Sequence, residues 1–349
     1  MMQLRIAVPD DWHLHLRDGG AMCDVVAHSA KRFGRAVIMP NLQPPITTVV
    51  EAHAYRQRII DALPQNAAFE PLMTLYLTDL TTSAEIVAAS ADETIVGVKL
   101  YPAGATTNSE AGVTDFDLVM PALEAMSLHG LPLLVHGEVT DPTVDIFDRE
   151  KVFIELVLAP LFERVPGLKV VFEHITTADA VAWVLQAPSR VAATITPHHL
   201  LLDRNAIFSG GIDPHLYCLP VLKRNTHQEA LVWAATSGNP RFFLGTDSAP
   251  HPQTAKECAN GCAGIFSAHA AIELYAEVFE DAAALDRLEG FASHHGADFY
   301  GLPRNAGELI LVREEWAVPT TYAFGDHKVV PLRAGDTIRW RVVKRTIPG

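Results

Sequence analysis

The segment Asp11-Trp12-His13-Leu14-His15-Leu16-Arg17-Asp18 sets two imidazoles two residues apart near the start of the chain. In an extended strand, side chains at i and i+2 point to the same face, so His13 and His15 can hold one ion together. Imidazole is the commonest protein ligand for such ions. Taken alone, the pair also fits two histidines satisfied by ordinary hydrogen bonds. Further along stand His136 in Leu-Leu-Val-His-Gly-Glu, His174 in Val-Phe-Glu-His-Ile, the neighbours His198 and His199, and Asp247 in Gly-Thr-Asp-Ser-Ala-Pro-His. Each has a plain reading by itself: a histidine bonded to a carbonyl, or an aspartate capping a turn. Brought to one place, several imidazoles and one carboxylate suit zinc or another first-row divalent ion. Asp247 could then both bind the metal and accept a proton from an attacking water. Lys99 is the odd member, an amine inside the apolar run Val96-Gly97-Val98-Lys99-Leu100. An unpaired ammonium there is costly. It needs a carboxylate such as Glu138 or Glu173, or modification into an anionic ligand.

Only a fold that gathers distant residues could unite this set. Short apolar runs recur at 12–16, 36–39, 72–77, 96–101, 131–135, 169–172, 191–195 and 241–244, with helical spacing between them, as in 152–165. Near-continuous apolar runs suit parallel strands buried on both faces. Eight such units predict an α/β fold, a (β/α)8 TIM barrel, whose chemistry collects at the C-terminal ends of the strands. The candidates close those runs: His13 and His15 the first, Asn41 the second, Lys99 within the fourth, His136 the fifth, His174 the sixth, His198 and His199 the seventh, Asp247 the eighth. Beyond them the pattern predicts helices over 266–279 and 282–295, then a punctuated tail ending in 337–344 that can add short strands. The reading is one barrel domain over 1–349 with a short C-terminal extension from about 266.

With 49% hydrophobic and 19% charged residues, the chain can fill a large core. Its formal charge of −14 argues against nucleic acid or an anionic membrane as a partner. An anionic substrate would need local cations such as Arg17. There is no run of about 18 apolar residues and no signal-peptide layout at the N-terminus, so a cytoplasmic protein is expected. Cys23, Cys218, Cys258 and Cys262 form no disulfide or zinc-ribbon pattern and read as free thiols.

Seven segments carry a more specific signal: Asp-Trp-His-Leu-His-Leu-Arg-Asp (11–18), Met-Pro-Asn (39–41), Gly-Val-Lys-Leu-Tyr-Pro (97–102), Val-His-Gly-Glu (135–138), Phe-Glu-His-Ile-Thr (172–176), Tyr-Cys-Leu-Pro-Val-Leu-Lys-Arg (217–224) and Gly-Thr-Asp-Ser-Ala-Pro-His (245–251). Through them the chain resembles the dihydroorotases of the amidohydrolase superfamily, in the short form without a large N-terminal β-domain, over nearly its whole length. The resemblance implies two zinc ions per subunit, with His13, His15 and Asp247 on one and His136 and His174 on the other. Lys99 would be carboxylated to N6-carboxylysine and, with a hydroxide, bridge both ions. Arg17, Asn41 and His251 would bind the substrate's α-carboxylate, for which a guanidinium fork is well shaped. Leu219 and Ala263 would contribute backbone contacts, and the loop 103–109 would be a lid closing through Thr106 and Thr107.

The implied reaction is the reversible cyclisation of N-carbamoyl-L-aspartate to L-dihydroorotate and water in pyrimidine (UMP) synthesis, with Asp247 moving the proton. A homodimer is implied as well. His198 and His199 have no role in this pattern and read as structural. A hydantoinase or allantoinase would share the metals but need no carboxylate site. A mononuclear deaminase would have no use for Lys99, and a metal-free binding subunit would not need the ligands.

Overall fold

The computed structural model describes residues 2–346. After a first strand β1 (Gln3–Ala7), eight strands form one parallel sheet in sequence order. They are β2 (Asp11–Leu14), β3 (Arg35–Ile38), β4 (Glu70–Leu77), β5 (Ile95–Leu100), β6 (Leu133–Val135), β7 (Val170–Phe172), β8 (Val191–Ile195) and β9 (Phe242–Leu244). Helices run between them, so the expected (β/α)8 barrel is present. All eight expected runs became strands, each starting or ending within two residues of its range.

The barrel closes where β2 meets the residues after β9. Leu14 bridges Ser248 in parallel, the His15 amide donates to Ser248 O at 3.1 Å, and the Asp247 amide donates to His13 O at 2.9 Å. Asp11 reinforces the seam, accepting from the Thr246 amide at 2.8 Å and from Thr246 Oγ1 at 2.6 Å. Burial raises the Asp11 pKa to about 7 against the pull of those Thr246 bonds. The seam therefore ties two candidate ligand segments together through the main chain.

One apolar side chain from each barrel strand joins a single floor cluster: Trp12, Val37, Leu72, Val96, Leu134, Val171, Ala192 and Phe243. Tyr300 caps it from below, stacked on Trp12 with ring centroids 4.7 Å apart. Because strand side chains alternate, the next inward positions lie two residues on. They are His136 after Leu134, Glu173 after Val171, and Thr194 after Ala192. A Cβ at Gly245 would lie 2.7 Å from Thr194 Cβ and 3.1 Å from His13 Cβ, so that layer has room for glycine only. The polar layer sits directly on the apolar floor.

Outside the barrel, β1 pairs antiparallel with β10 (Glu308–Ala317), which pairs with β13 (Thr337–Arg345). The hairpin β11 (Tyr322–Phe324) and β12 (His327–Val329) lies between them in sequence. The tail strand near 337–344 was anticipated, whereas β1 was not. Its five residues are mostly exposed or half-buried, and its partner is about 300 residues away.

Two helix expectations need correction. The helix expected over 266–279 spans Ala271–Asp281, because Phe266 is held in a bridge to Pro331. The helix expected over 282–295 starts later, after Ala283 at φ 53°, and runs on to Tyr300, passing from a 3-10 turn at Leu285–Arg287 through a π-turn at Gly290–His294 into an α-helix at His295–Tyr300. The last of these segments packs closely on the barrel floor, where a Cβ on Gly296 would lie 2.0 Å from Trp12 Nε1. All four cysteines are free thiols. No helix among the described residues is long and apolar enough to cross a membrane.

Candidate active site

His13, His15, Arg17, Asn41, Tyr101, Thr106, Thr107, His136, His174, Leu219, Asp247 and Ala263 line one pocket at the C-terminal mouth of the barrel. Its core is the trio His13, His15 and Asp247. Asp247 Oδ1 lies 3.3 Å from His13 Nε2 and 3.1 Å from His15 Nε2, and the two nitrogens are 3.3 Å apart. Zinc bonds of about 2.0–2.1 Å to nitrogen and oxygen require tetrahedral ligand edges of roughly 3.3 Å. The three donors are therefore already at the spacing an ion needs. A second overlapping group of possible ligands is His13, Glu173 and His174. His174 Nδ1 is buried with no hydrogen-bond partner among the described residues, and the His174 ring lies 4.9 Å from that of His13 and 4.9 Å from that of His136. These residues fit a divalent-metal centre.

The protonation states of His15 and His174 agree with that fit. Burial lowers the His15 pKa to about 4 and the His174 pKa well below the usual histidine value, which leaves both as the neutral ligand form. Burial also opposes charge on His13, but Glu173 and Asp247 beside it more than offset that, so its pKa is raised. Burial alone would raise the Asp247 pKa. The charge of His13 and contacts from both imidazoles outweigh it and hold the carboxyl well below its usual range.

Glu173 is a member the sequence reading assigned only to a possible ion pair. Its Oε2 lies 2.8 Å from His13 Nδ1, off the line of an aligned hydrogen bond, and also meets the Lys99 ammonium. A carboxylate on the far nitrogen of a ligating histidine orients the ring and raises its basicity. Glu138 stands in the same relation to His136, with Oε2 2.8 Å from Nε2. Both carboxylates follow from adjacency: Glu173 precedes His174, and Glu138 follows His136 by two. Lys99 is fully buried beneath the pocket, its Nζ 5.0 Å from the centre of the Tyr101 ring. Burial lowers its pKa although Glu173 opposes the shift.

Backbone strain marks the same residues. Arg17 (φ 63°), His174 (φ 41°) and Asp247 (φ 45°) are in the left-handed region, which costs a non-glycine residue about 1–3 kcal/mol. All three sit where a strand has just ended, so the strain aims their side chains into the mouth.

The rim differs in character. Arg17 Nε donates to Pro250 O at 2.9 Å, and Nη2 lies 2.8 Å from His251 Nε2. His251 Nε2 is also 2.9 Å from Ala263 O, so that nitrogen can serve only one of these partners at a time. Burial, and then the adjacent guanidinium, lower the His251 pKa to about 2, leaving it neutral. The loop after β5 folds over the pocket. Asn41 Nδ2 donates to Thr107 O at 3.0 Å, Asn108 Nδ2 donates to Asn41 O at 3.0 Å, and Thr107 Oγ1 donates to Ala263 O at 3.3 Å. Asn41 thus meets the loop as well as the pocket.

Tyr101 and Cys218 also line the pocket, although the sequence reading gave them no role. Each lies beside a residue it did single out, in Lys-Leu-Tyr and Tyr-Cys-Leu. His198 and His199 are buried outside the lining. His199 sits between Thr196 Oγ1 at 2.7 Å and Pro220 O at 3.1 Å, joining the exit of β8 to the segment that carries Leu219. Neither ring nitrogen of His198 has a hydrogen-bond partner among the described residues.

Residues 8–310 match the amidohydrolase family. A dihydroorotase from Ralstonia nicotianae is 65% identical over 340 residues, covering 97% of this chain and 99% of that protein. The crystal structure of dihydroorotase from Saccharomyces cerevisiae in complex with 5-fluoroorotic acid superposes with a TM-score of 0.92 at 35% identity, covering 100% of both chains. A dihydroorotase structure from Campylobacter jejuni gives 0.90 at 37% identity, covering 98% of both.

Proposed function

The chain belongs to the dihydroorotases of the amidohydrolase family, and from that premise we propose how its own residues carry the reaction. The activity is the reversible cyclisation of N-carbamoyl-L-aspartate to L-dihydroorotate and water in pyrimidine biosynthesis. The observation that carries the reading is the trio of donors at metal-ligand spacing beside a half-buried arginine on the pocket rim.

His13, His15, His136, His174 and Asp247 would hold two zinc ions, with carboxylated Lys99 as a further anionic ligand. Burial favours the neutral amine of Lys99, the form that adds carbon dioxide: a nitrogen–carbon bond forms, one proton leaves to solvent, and a neutral buried amine becomes an anion. When bound, the metal pair supplies Lewis acidity toward a carbonyl and lowers the pKa of water. In the hydrolytic direction Asp247 takes the attacking water's proton on a carboxylate oxygen and delivers it to the departing ring nitrogen. In the cyclising direction it takes the proton from the carbamoyl nitrogen and gives it to the leaving hydroxyl. Arg17, Asn41 and His251 hold the α-carboxylate, and the backbone at Leu219 and Ala263 positions the ring. Thr106 and Thr107 close over it and exclude bulk water.

A neutral cyclic amide makes no use of the carboxylate site, so comparing L-dihydroorotate with hydantoin tests the reading. Wild-type protein is expected to turn over dihydroorotate and not hydantoin. Arg17→Met is expected to raise KM for dihydroorotate about 10- to 100-fold, the equivalent of one charge-assisted hydrogen-bond pair. Equal turnover of both substrates, with KM unchanged in the variant, would remove Arg17 from the site. For the lid, replacing Thr106 and Thr107 by Ala removes the bond to Ala263 O. A rise in KM of roughly 3- to 10-fold is expected, one neutral hydrogen bond, and steady-state kinetics would read its absence directly.

The same reading places the protein in the cytoplasm as one domain and a homodimer. The pairing of β1 with β10 supports a single domain by joining the two ends of the chain. Light scattering should return roughly twice the 38.0 kDa chain mass.

A further inference from the structure

Lys256 ends the short helix Gln253–Lys256 and is only 4% exposed, an unusual place for an ammonium. Its Nζ donates to two main-chain carbonyls, Tyr217 O at 2.8 Å and Gly264 O at 2.6 Å. Those carbonyls belong to the two wall segments whose backbone is proposed to meet the substrate. Tyr217 leads into Cys218 and Leu219, and Gly264 follows Ala263; Cys218, Leu219, Ala263 and Gly264 all line the pocket. The segments also touch directly, the Gly264 amide donating to Tyr217 O at 3.0 Å.

No side chain can anchor position 264. Gly264 has φ +148°, and a Cβ there would lie 2.5 Å from Ala249 O. Side chains therefore hold the wall by its carbonyls: Thr107 and His251 reach Ala263 O on one side, and Lys256 reaches Gly264 O on the other. Burial lowers the Lys256 pKa to about 8, so at neutral pH it retains its charge. Arg17 is among the charges that act on it. Its buried charge thus stands behind the wall that lines the pocket.

We propose that Lys256 is a positioning residue for the substrate, clamping the 217–219 and 263–264 segments together so that the backbone at Leu219 and Ala263 faces the ring and carboxylate. This rests on the proposed substrate contacts of those two residues. A purely structural lysine would lower stability, metal content and kcat together when removed. A positioning lysine separates KM from kcat, because the metal centre and Asp247 are untouched.

The test uses the metal-replete full chain with L-dihydroorotate. Lys256→Met keeps the length of the side chain and removes the donors and charge. It is expected to raise KM at least about 10-fold, the size of one charge-assisted bond, with kcat within about 3-fold by the same scale and zinc content unchanged. Lys256→Arg, which keeps charge and donors, is expected to recover most of the wild-type KM. Should the Met variant aggregate, Lys256→Gln, which keeps two N–H donors but no charge, is expected to show an intermediate KM. An unchanged KM in the Met or Gln variant, or a fall in kcat and zinc content at constant KM, overturns the proposal. A wild-type protein with no activity on dihydroorotate would instead defeat the substrate reading on which it rests.

Discussion

Asp247→Asn is expected to lower kcat by about 10²- to 10⁴-fold, the range set by loss of a positioned general acid–base, while the protein keeps its fold. The side chain changes by one atom and keeps an oxygen that can face the trio. Its φ of 45° suits asparagine better than most residues, so the backbone at the seam is not strained further. What disappears is an ionised carboxylate held well below its usual pKa by the charge of His13 and by contacts from His13 and His15 against the opposing effect of burial. An amide oxygen cannot take and return a proton at neutral pH. The measurement is kcat on dihydroorotate in both directions, with circular dichroism for the fold and elemental analysis for zinc. Turnover above roughly a tenth of wild type at full zinc content would exclude Asp247 as the proton carrier, since even a weak acid–base role exceeds that factor.

Lys99→Met is expected to remove one of the two zinc ions proposed per chain and with it more than about 100-fold of the activity, because groups that merely orient metal ligands are already worth 10- to 100-fold. The variant also separates two states of the residue. As an ammonium, Lys99 neutralises buried Glu173, and removing one member of a buried pair costs about 3–5 kcal/mol. As a carboxylated anion, it answers to the metals, and its loss registers in zinc content first. Metal-free wild-type protein reloaded with zinc should therefore regain more activity with bicarbonate than in buffer stripped of carbon dioxide. Native mass spectra should show one carbon dioxide added per chain. Two zinc ions and full turnover in Lys99→Met would end the bridging role.

The elements that were legible beforehand share a physical cause. Strands such as Val191–Ile195 are buried on both faces and cannot avoid a continuous apolar run. Their inward alternation then makes the residue two beyond a floor position a candidate, which is how His136 follows Leu134. The misread elements lack such a local signature. Strand β1 is short and mostly half-exposed, and its existence depends on pairing with residues 308–312. The stretch 285–294 has apolar residues at helical spacing, which does not distinguish its 3-10 and π turns from a regular α-helix.

The site divides in the same way. Residue type and strand-end position were enough to nominate His13, His15, Asn41, Lys99, His136, His174, His198, His199 and Asp247, because a ligand must be one of few side chains and a barrel mouth admits only strand ends, and the family resemblance set His198 and His199 aside. Spacing in space was not legible. The 3.1–3.3 Å separations within the trio depend on hydrogen bonds closing β2 against the residues after β9, more than 230 positions apart. Glu173 beneath His13 and Lys99, and Lys256 behind Tyr217 and Gly264, emerge only once packing has brought separate segments together. Local sequence determined which groups are available for chemistry, since type and alternation act over a few residues. Tertiary structure alone decided which groups meet and what orients them, since those contacts form when the barrel closes.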